Sequence, residues 1–260
     1  FMLYSCRYTF TNRHTKPKPK VATRAEAGKV YVVLVQTDGL GLGAWARPGR
    51  GNVTYAWEVT LPDLELQPAL LQMFYENATE RDYFVGALSG PGYMYPKAVP
   101  PALLPKRLAF AQEMMTTLDL AHWIIFDASA THGEHTCTGD TTLNEAAVAA
   151  YFASDTMPAT KGFLNGYAPA FTNARDAASG RSLLSFEYYL DPSRTVEAAV
   201  QDLTDLAAAN LERPYFLPVH VREFSAITKV SEILNALPEG VFEVVAIDTF
   251  FDLVDSSNQL

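Results

Sequence analysis

The sequence predicts an α/β fold, a single (β/α) barrel-like domain of about seven parallel strands that follows an extended N-terminal arm. The length of 260 residues suits one β/α barrel. From Lys29 onward, runs of β-forming residues alternate with helical runs, a pattern typical of parallel strands joined by right-handed crossovers. We find no internal repeat and no second boundary after Gly28. We therefore expect an arm with a Lys/Pro linker over residues 1–28 and a barrel domain over residues 29–260.

The first 28 residues differ in composition from the rest of the chain. Thr15 to Lys20 is basic and proline-rich, which is typical of an extended, solvated linker. This linker joins a short aromatic segment, Phe1 to Phe10, to the main domain. Because the chain opens with Phe1, we expect either a processed protein or a segment of a longer one.

Seven runs are predicted to form strands. Val30–Val35 is continuously apolar and mostly β-branched, as expected for a strand that is buried on both faces. The other predicted strands are Asp82–Leu88, Trp123–Phe126, Gly162–Tyr167, Leu183–Leu190, Tyr215–Val221 and Phe242–Ile247.

Amphipathic or alanine-rich runs between these strands predict helices. In Leu64–Tyr75, the residues Leu66, Leu70 and Met73 fall on one apolar stripe. Ser193 is a suitable N-cap for a helix that runs to about Leu211. The remaining predicted helices are Ala102–Leu120, Leu143–Phe152, Ile227–Leu237 and a last turn at Phe250–Val254.

The acidic composition excludes some partners. Twenty basic and 29 acidic side chains give a net charge of −9, which opposes general binding to nucleic acid or to anionic membrane surfaces. No apolar run reaches the roughly 18 residues that a membrane-spanning helix needs, so we expect no membrane span.

Polar residues follow or end most of the predicted strands. Functional residues of a β/α barrel come from the carboxyl ends of its strands, which meet around one mouth. We therefore expect a site there, drawn from residues that are far apart in the chain: Asp38, Ser89, Asp127, Glu187, His220 and Asp248.

The segment after the second predicted strand, Gly90-Pro91-Gly92-Tyr93-Met94-Tyr95-Pro96, carries the signature Gly-x-Gly-Tyr-x-Tyr-Pro. It resembles the GxGYxYP family, which is named for this signature and is assigned to glycoside hydrolysis. The resemblance extends upstream through Lys29–Val33 and Thr37-Asp38-Gly39, and downstream through Phe242–Val245 and Phe250–Leu253. It implies a carbohydrate substrate. We expect no cofactor and no metal.

The signature has a physical reason at a strand end. Gly90 and Gly92 permit close backbone approach or a positive φ. Tyr93 and Tyr95 share a face if the loop is extended, and their rings suit stacking on sugars. We predict that these four residues and His220 bind substrate. The alternative is a rigid loop whose tyrosine hydroxyls cap backbone groups.

Hydrolysis of a glycosidic bond needs two carboxyl groups. The candidates are Asp38 paired with Asp127 or with Glu187. Asp38 is also a common turn residue before glycine, and a lone histidine in an apolar strand, such as His220, is often a hydrogen-bonded core residue.

The chain departs from the family pattern after Asp38. Leu40 stands where the family has a second acidic residue, and Gly41 replaces an asparagine. The alternative function is therefore a non-catalytic structural or glycan-binding subunit of an extracellular assembly. Leu40 would then fill part of the former pocket or contact another chain or segment.

A third hypothesis is a metal-dependent polysaccharide deacetylase. His132, His135, Cys137 and Asp140 are metal-ligand residue types in one segment, although their spacing also fits an ordinary polar loop.

Two features indicate a secreted protein. Cys6 and Cys137, the two cysteines of the chain, could form one disulfide. Asn52 and Asn77 each begin an N-glycosylation sequon. We therefore predict a disulfide-bonded glycoprotein of the secretory pathway or the extracellular space.

Overall fold

The computed structural model describes most of the chain from Arg24 onward, together with Phe10. The described residues are 10, 24–37, 42–129, 141–153, 155–167, 172–222 and 224–257.

In the described part of the chain, ten strands form one sheet, and every pairing is parallel except that of β6 with β7. The strands are β1 (Val30–Gln36), β2 (Tyr55–Thr60), β3 (Asp82–Ala87), β4 (His122–Ile125), β5 (Gly162–Asn165), β6 (Ala174–Arg175), β7 (Ser182–Ser185), β8 (Tyr188–Leu190), β9 (Tyr215–Val221) and β10 (Phe242–Val244). Their order is β6-β7-β5-β4-β3-β2-β1-β9-β8, and β10 pairs with β1.

Eight α-helices lie between or after the described strands, and a 3-10 turn, Pro96–Ala98, follows β3. The helices are α1 (Leu42–Trp45), α2 (Asp63–Leu66), α3 (Pro68–Glu76), α4 (Leu104–Thr117), α5 (Glu145–Phe152), α6 (Val196–Ala209), α7 (Ile227–Ala236) and α8 (Ile247–Ser257). Within the described residues, no helix is both long enough and apolar enough to cross a membrane.

Strand β1 pairs with three other strands, β2, β9 and β10. Its seven residues are all buried, and they pair with β9 in register from Val30↔Tyr215 to Gln36↔Val221. The end of β1 pairs with β2, while its start pairs with β10. A run of β-branched residues suits this position because both faces of the strand are covered.

β7 and β8 lie on opposite sides of the strand order, although only two residues of the chain separate them. β7 pairs with β5, whereas β8 pairs with β9. Between them, Phe186 donates its backbone N–H to Asn165 O at 2.9 Å, and Glu187 donates to Pro218 O at 3.2 Å.

The two faces of the sheet carry separate cores. One contains Val30, Val32 and Leu34 with the buried faces of α3, α4, α6 and α7. The other contains Tyr31, Val33 and Val35 with the buried residues of α8. The alternation along β1 follows from the two-residue period of a strand.

The structure confirms a mixed α/β domain with a mostly parallel sheet. Each of the seven predicted strands overlaps an observed strand, although Leu183–Leu190 divides into β7 and β8. Sequence analysis missed β2 and the two-residue β6. Of the predicted N-terminal arm, Phe10 is buried, and its ring packs edge-on against Tyr75 with centroids 5.1 Å apart.

Candidate active site at the carboxyl ends of the strands

Side chains from several parallel strands meet at the carboxyl-terminal edge of the sheet. Thr37 follows β1, Ser89 follows the last residues of β3, Asp127 follows β4, and His220 is the penultimate residue of β9. All four residues are buried. The expectation that these strands run parallel is met by the pairings that connect β9, β1, β2, β3 and β4.

His220 connects two strand ends. Its Nε2 contacts Thr37 Oγ1, and its Nδ1 contacts the carbonyl oxygen of Tyr167, which follows β5. Since a carbonyl oxygen can only accept, Nδ1 carries the proton and donates it to Tyr167. Burial lowers the pKa of His220 to about 4, so the ring is neutral near pH 7 and Nε2 accepts from the Thr37 hydroxyl.

Glu58 of β2 is a site residue that sequence analysis missed. The register Gln36↔Trp57 places Glu58 beside the end of β1, and its carboxylate accepts a hydrogen bond from the Tyr167 hydroxyl. Glu58 is 1% exposed. Tyr167 therefore joins the carboxylate of β2 to the imidazole of β9 through its hydroxyl and its carbonyl. We call Thr37, Glu58, Tyr167 and His220 the strand-end network.

Aromatic rings extend from this network to the surface. Phe126 stacks on Tyr167 with centroids 4.9 Å apart. Tyr95 and Tyr93 of the signature lie 5.7 and 6.1 Å from Phe126, both edge-on. Because Tyr93 is 62% exposed, the series begins in solvent and ends at the buried His220, whose ring lies 4.8 Å from that of Tyr167.

The signature loop is held by close packing. A side chain at Gly90 would overlap Met94, whereas one at Gly92 would only touch Pro62 at 3.7 Å. The positive φ expected of a glycine occurs instead at Ser89, with φ 67°. Ser89 Oγ donates to Phe126 O and accepts from Phe126 N, each at 2.7 Å, so it fixes the end of β4 against the signature.

Asp127 is buried and fully engaged by its neighbours. One carboxylate oxygen accepts from the Lys97 backbone at 2.5 Å, and the other accepts from Ser129 N at 2.8 Å and Ser129 Oγ at 2.5 Å. Lys97 Nζ lies 3.8 Å from the same carboxylate. Asp127 thus ties the end of the signature loop to the end of β4.

Glu187, the third predicted catalytic residue, does not join the strand-end network. Its carboxylate accepts from the Tyr215 hydroxyl at 2.6 Å, and Tyr215 begins β9. The Glu187 backbone lies beside Pro218, two residues before His220. Its carboxylate nevertheless bonds to Tyr215, five residues before His220 in the same strand, and not to a member of the strand-end network.

Asp248 lies at the opposite end of the sheet. It belongs to the first turn of α8, and its carboxylate is 3.3 Å from Nδ1 of His122, the first residue of β4. The expected strand extended to Ile247, but β10 ends at Val244. Asp248 is therefore the second residue of a helix and does not lie at the end of a strand.

Several predicted residues lie outside the described part of the chain. These are Asp38, Leu40, Gly41, His132, His135, Cys137, Asp140 and Cys6. Within the described residues, no group of three or more His, Cys, Asp or Glu side chains could hold a metal ion.

Comparisons with known proteins place these features in a family. The family model described as "GxGYxYP putative glycoside hydrolase C-terminal domain" matches residues 28–255. A search of curated proteins finds no match.

Two solved structures resemble the chain. A putative hydrolase from Bacteroides thetaiotaomicron VPI-5482 has a TM-score of 0.71 at 17% identity, and the alignment covers 93% of this chain and 47% of that protein, so the chain spans about half of its length. An uncharacterized protein from Agrobacterium tumefaciens C58 has a TM-score of 0.50 at 13% identity, with 88% and 91% covered. At these identities the structures establish the fold alone. The family model spans most of the chain and its signature leads into the strand-end network, so this protein belongs to the GxGYxYP family.

Proposed function

We propose that the chain is a carbohydrate-active domain of a glycoside hydrolase, with its site at the carboxyl ends of the parallel strands. The observation that carries this proposal is the strand-end network, in which a threonine hydroxyl, a buried carboxylate, a tyrosine and a neutral imidazole from the ends of four strands meet beside the family signature. Buried polar groups that converge at strand ends are typical of active sites in parallel α/β folds.

We propose Glu58 and Asp38 as the two carboxyl groups that hydrolysis needs, one as proton donor and the other as base or nucleophile. Asp38 directly follows Thr37 in the chain, and Thr37 contacts His220. Tyr167 and His220 are positioning residues, since they orient Glu58 and Thr37. Asp127 is proposed as a residue that fixes the signature loop, because its carboxylate is saturated by Lys97 and Ser129.

Tyr93 and Tyr95 are proposed to bind the sugar. Aromatic rings stack on the apolar faces of sugars, and their hydroxyls can bond to sugar hydroxyls. The exposure of Tyr93 supports a contact at the entrance, whereas Tyr95 packs deeper beside Phe126. Gly90 contributes by allowing Met94 to pack beneath the loop.

We propose that the parallel strands close into a seven-stranded barrel over residues 29–260, with residues 1–28 as an arm. β7 and β8 lie at the two sides of the order β5-β4-β3-β2-β1-β9, and only Phe186 and Glu187 separate them. If β7 and β8 count as one strand, the ring contains β1, β2, β3, β4, β5, β7/β8 and β9. This supports a common mouth for the strand-end network.

The test of this function is the variant Glu58→Gln, which removes one carboxylate at nearly constant shape. Activity would be sought on a panel of aryl glycosides and plant, fungal and bacterial polysaccharides. We expect turnover to fall by about 10²–10⁴ with glycan binding retained. Glu239→Gln, an exposed glutamate after α7, is the matched control and should keep full activity. Undiminished turnover in the Glu58 variant would remove Glu58 from catalysis.

A second candidate function is glycan binding without hydrolysis. It is favoured by the saturation of Asp127, which leaves that buried carboxylate poorly placed to act on substrate. This function predicts saturable binding to an immobilised glycan array, a loss of binding in Tyr93→Ala, and no release of reducing sugar by the wild type. Binding that is unchanged in Tyr93→Ala would contradict it.

We also propose that the protein acts in the secretory pathway or outside the cell, within a larger assembly. Asn52 and Asn77 are both exposed, which supports their use as glycan acceptors. Peptide mapping without reduction should find Cys6 linked to Cys137, and enzymatic deglycosylation should convert asparagine to aspartate at both sequons. Free thiols and unmodified asparagines in protein from its native source would contradict this proposal.

A further inference from the structure

A cavity opens in the sheet between β7 and the first half of β9. β7 pairs with β5, and β8 pairs with β9 only from Val219 to Val221. Among the described residues, Tyr215–Leu217 pair only with β1. The change of strand partner at Glu187 therefore leaves a gap, which contains a cavity of about 120 Å³.

The cavity has an apolar floor and a polar mouth. It is lined by Asn173, Leu184, Glu187, Asn210, Glu212, Pro214, Tyr215 and Phe216. Leu184 and Phe216 are buried and belong to the same core as Tyr31. Asn173 and Glu212 are exposed. A ligand could thus enter from solvent and rest an apolar face on a leucine and an aromatic ring.

The polar groups that line the cavity are complementary to a ligand that both donates and accepts hydrogen bonds. Asn173 Oδ1 accepts from Ser185 N at 2.8 Å, and Asn210 Oδ1 accepts from Glu212 N at 3.1 Å. The amide nitrogen of each asparagine is therefore the atom that would donate a hydrogen bond to a ligand. The Glu187 and Glu212 carboxylates supply acceptors. Burial raises the pKa of Glu187, and a donor in the cavity would offset that cost. A hydroxyl group satisfies both kinds of partner.

The size of the cavity limits the ligand. An engineered apolar cavity of about 150 Å³ holds benzene, which has six heavy atoms. A cavity of about 120 Å³ with an open mouth therefore admits a molecule, or one edge of a larger molecule, of about that size. We propose that this cavity is a binding site for a small polyol, either free or presented as one edge of a sugar ring, with Glu187, Asn173 and Asn210 as its polar contacts.

This site is separate from the strand-end network. The Glu187 carboxylate bonds to the hydroxyl of Tyr215, and none of the residues that line the cavity belongs to the strand-end network. The inference therefore stands whether or not the protein hydrolyses glycans.

The test is an NMR titration of isotope-labelled protein with erythritol and with methyl α-glucoside. The side-chain amide signals of Asn173 and Asn210 should shift in a saturable manner with at least one of them. Saturation by erythritol alone identifies a free polyol, and saturation by both identifies a sugar edge. Butan-1-ol has the same number of carbons as erythritol but a single hydroxyl group. It should cause no saturable shift of either amide signal. No saturable shift with either polyol, or equal shifts with butan-1-ol, would overturn the proposal.

Two variants test the named contacts. Glu187→Gln should weaken binding at least tenfold, because it removes the charged acceptor. Asn173→Ala, at an exposed position, should weaken it about fivefold, and it keeps the test valid if the Glu187 variant loses stability. Glu239→Gln should bind as the wild type does. Unchanged affinity in both Glu187→Gln and Asn173→Ala would also overturn the proposal.

Discussion

His220 shows how one buried side chain makes the stability of a protein depend on pH. The pKa of this residue falls from 6.5 to about 4 because the folded protein buries it. Between these values, the unfolded chain binds a proton that the folded chain excludes, so the free energy of unfolding rises with pH. The contribution is fully present above about pH 6.5 and is lost as the pH falls through about 4.

We therefore expect the wild type to lose about 3 kcal/mol of stability from this group between pH 7 and pH 4. The variant His220→Asn cannot titrate at this position. Its free energy of unfolding should therefore fall by about 3 kcal/mol less than that of the wild type between pH 7 and pH 4. Urea unfolding of both proteins at several pH values measures the difference, and contributions that the two proteins share cancel. Parallel pH profiles for the two proteins would contradict the prediction.

The same residues explain what the sequence could and could not predict about the site. The strand-end positions of Ser89, Asp127 and His220 follow from the β/α alternation, and the structure brings them to one edge of the sheet. Glu58 was not predicted because its strand, β2, was itself missed and because glutamate is rarely buried. Its hydrogen-bond partner, Tyr167, is 109 residues away in the chain, and no local pattern reveals that pair.

At the scale of elements, the packing of α8 against the sheet depends on a glycine in β5. A side chain at Gly162 would overlap the ring of Phe251, which is 1% exposed. Phe251 also stacks on His122 with centroids 4.9 Å apart, so it has little room to move.

Gly162→Ala should therefore lower the free energy of unfolding by about 1–3 kcal/mol, as overpacking does elsewhere. Gly43→Ala is the matched control, since nothing lies within 4 Å of the added methyl group and the residue is helical and exposed. That control should be neutral or slightly stabilising. Chemical denaturation measures the free energy of unfolding of both variants. Equal values would show that α8 shifts to accommodate the methyl group without loss of stability.

Elements were predicted better than their bounds. Long runs such as Tyr215–Val221 and Val30–Val35 have a composition that only a buried strand satisfies, and both form strands. The division of Leu183–Leu190 depends on which neighbours each half pairs with, and that information is not local. β6 has two residues, too few to show any periodicity.

At the scale of the whole molecule, α8 covers one face of the sheet. Five of its apolar side chains are at most 1% exposed: Ile247, Phe250, Phe251, Leu253 and Val254. Their burial contributes about 10 kcal/mol, which is comparable to the entire stability of a typical domain.

A chain that ends at Val245 should therefore lose its cooperative thermal transition and bind a hydrophobic dye. A chain that ends at Ser257 retains all of α8 and should melt as the 260-residue chain does. Circular dichroism during heating distinguishes the two. A sharp transition at an unchanged temperature in the shorter chain would show that α8 adds little to the fold.

The pairing of β1 with β9 also has a consequence during synthesis. Val30 leaves the ribosome 185 residues before its partner Tyr215. At usual rates of translation, this delay is about 10 to 40 s. Throughout that time one edge of a strongly apolar strand stays open to other nascent chains, and such edges promote aggregation. The protein is therefore expected to need a chaperone that binds its first strand until the ninth has been synthesised.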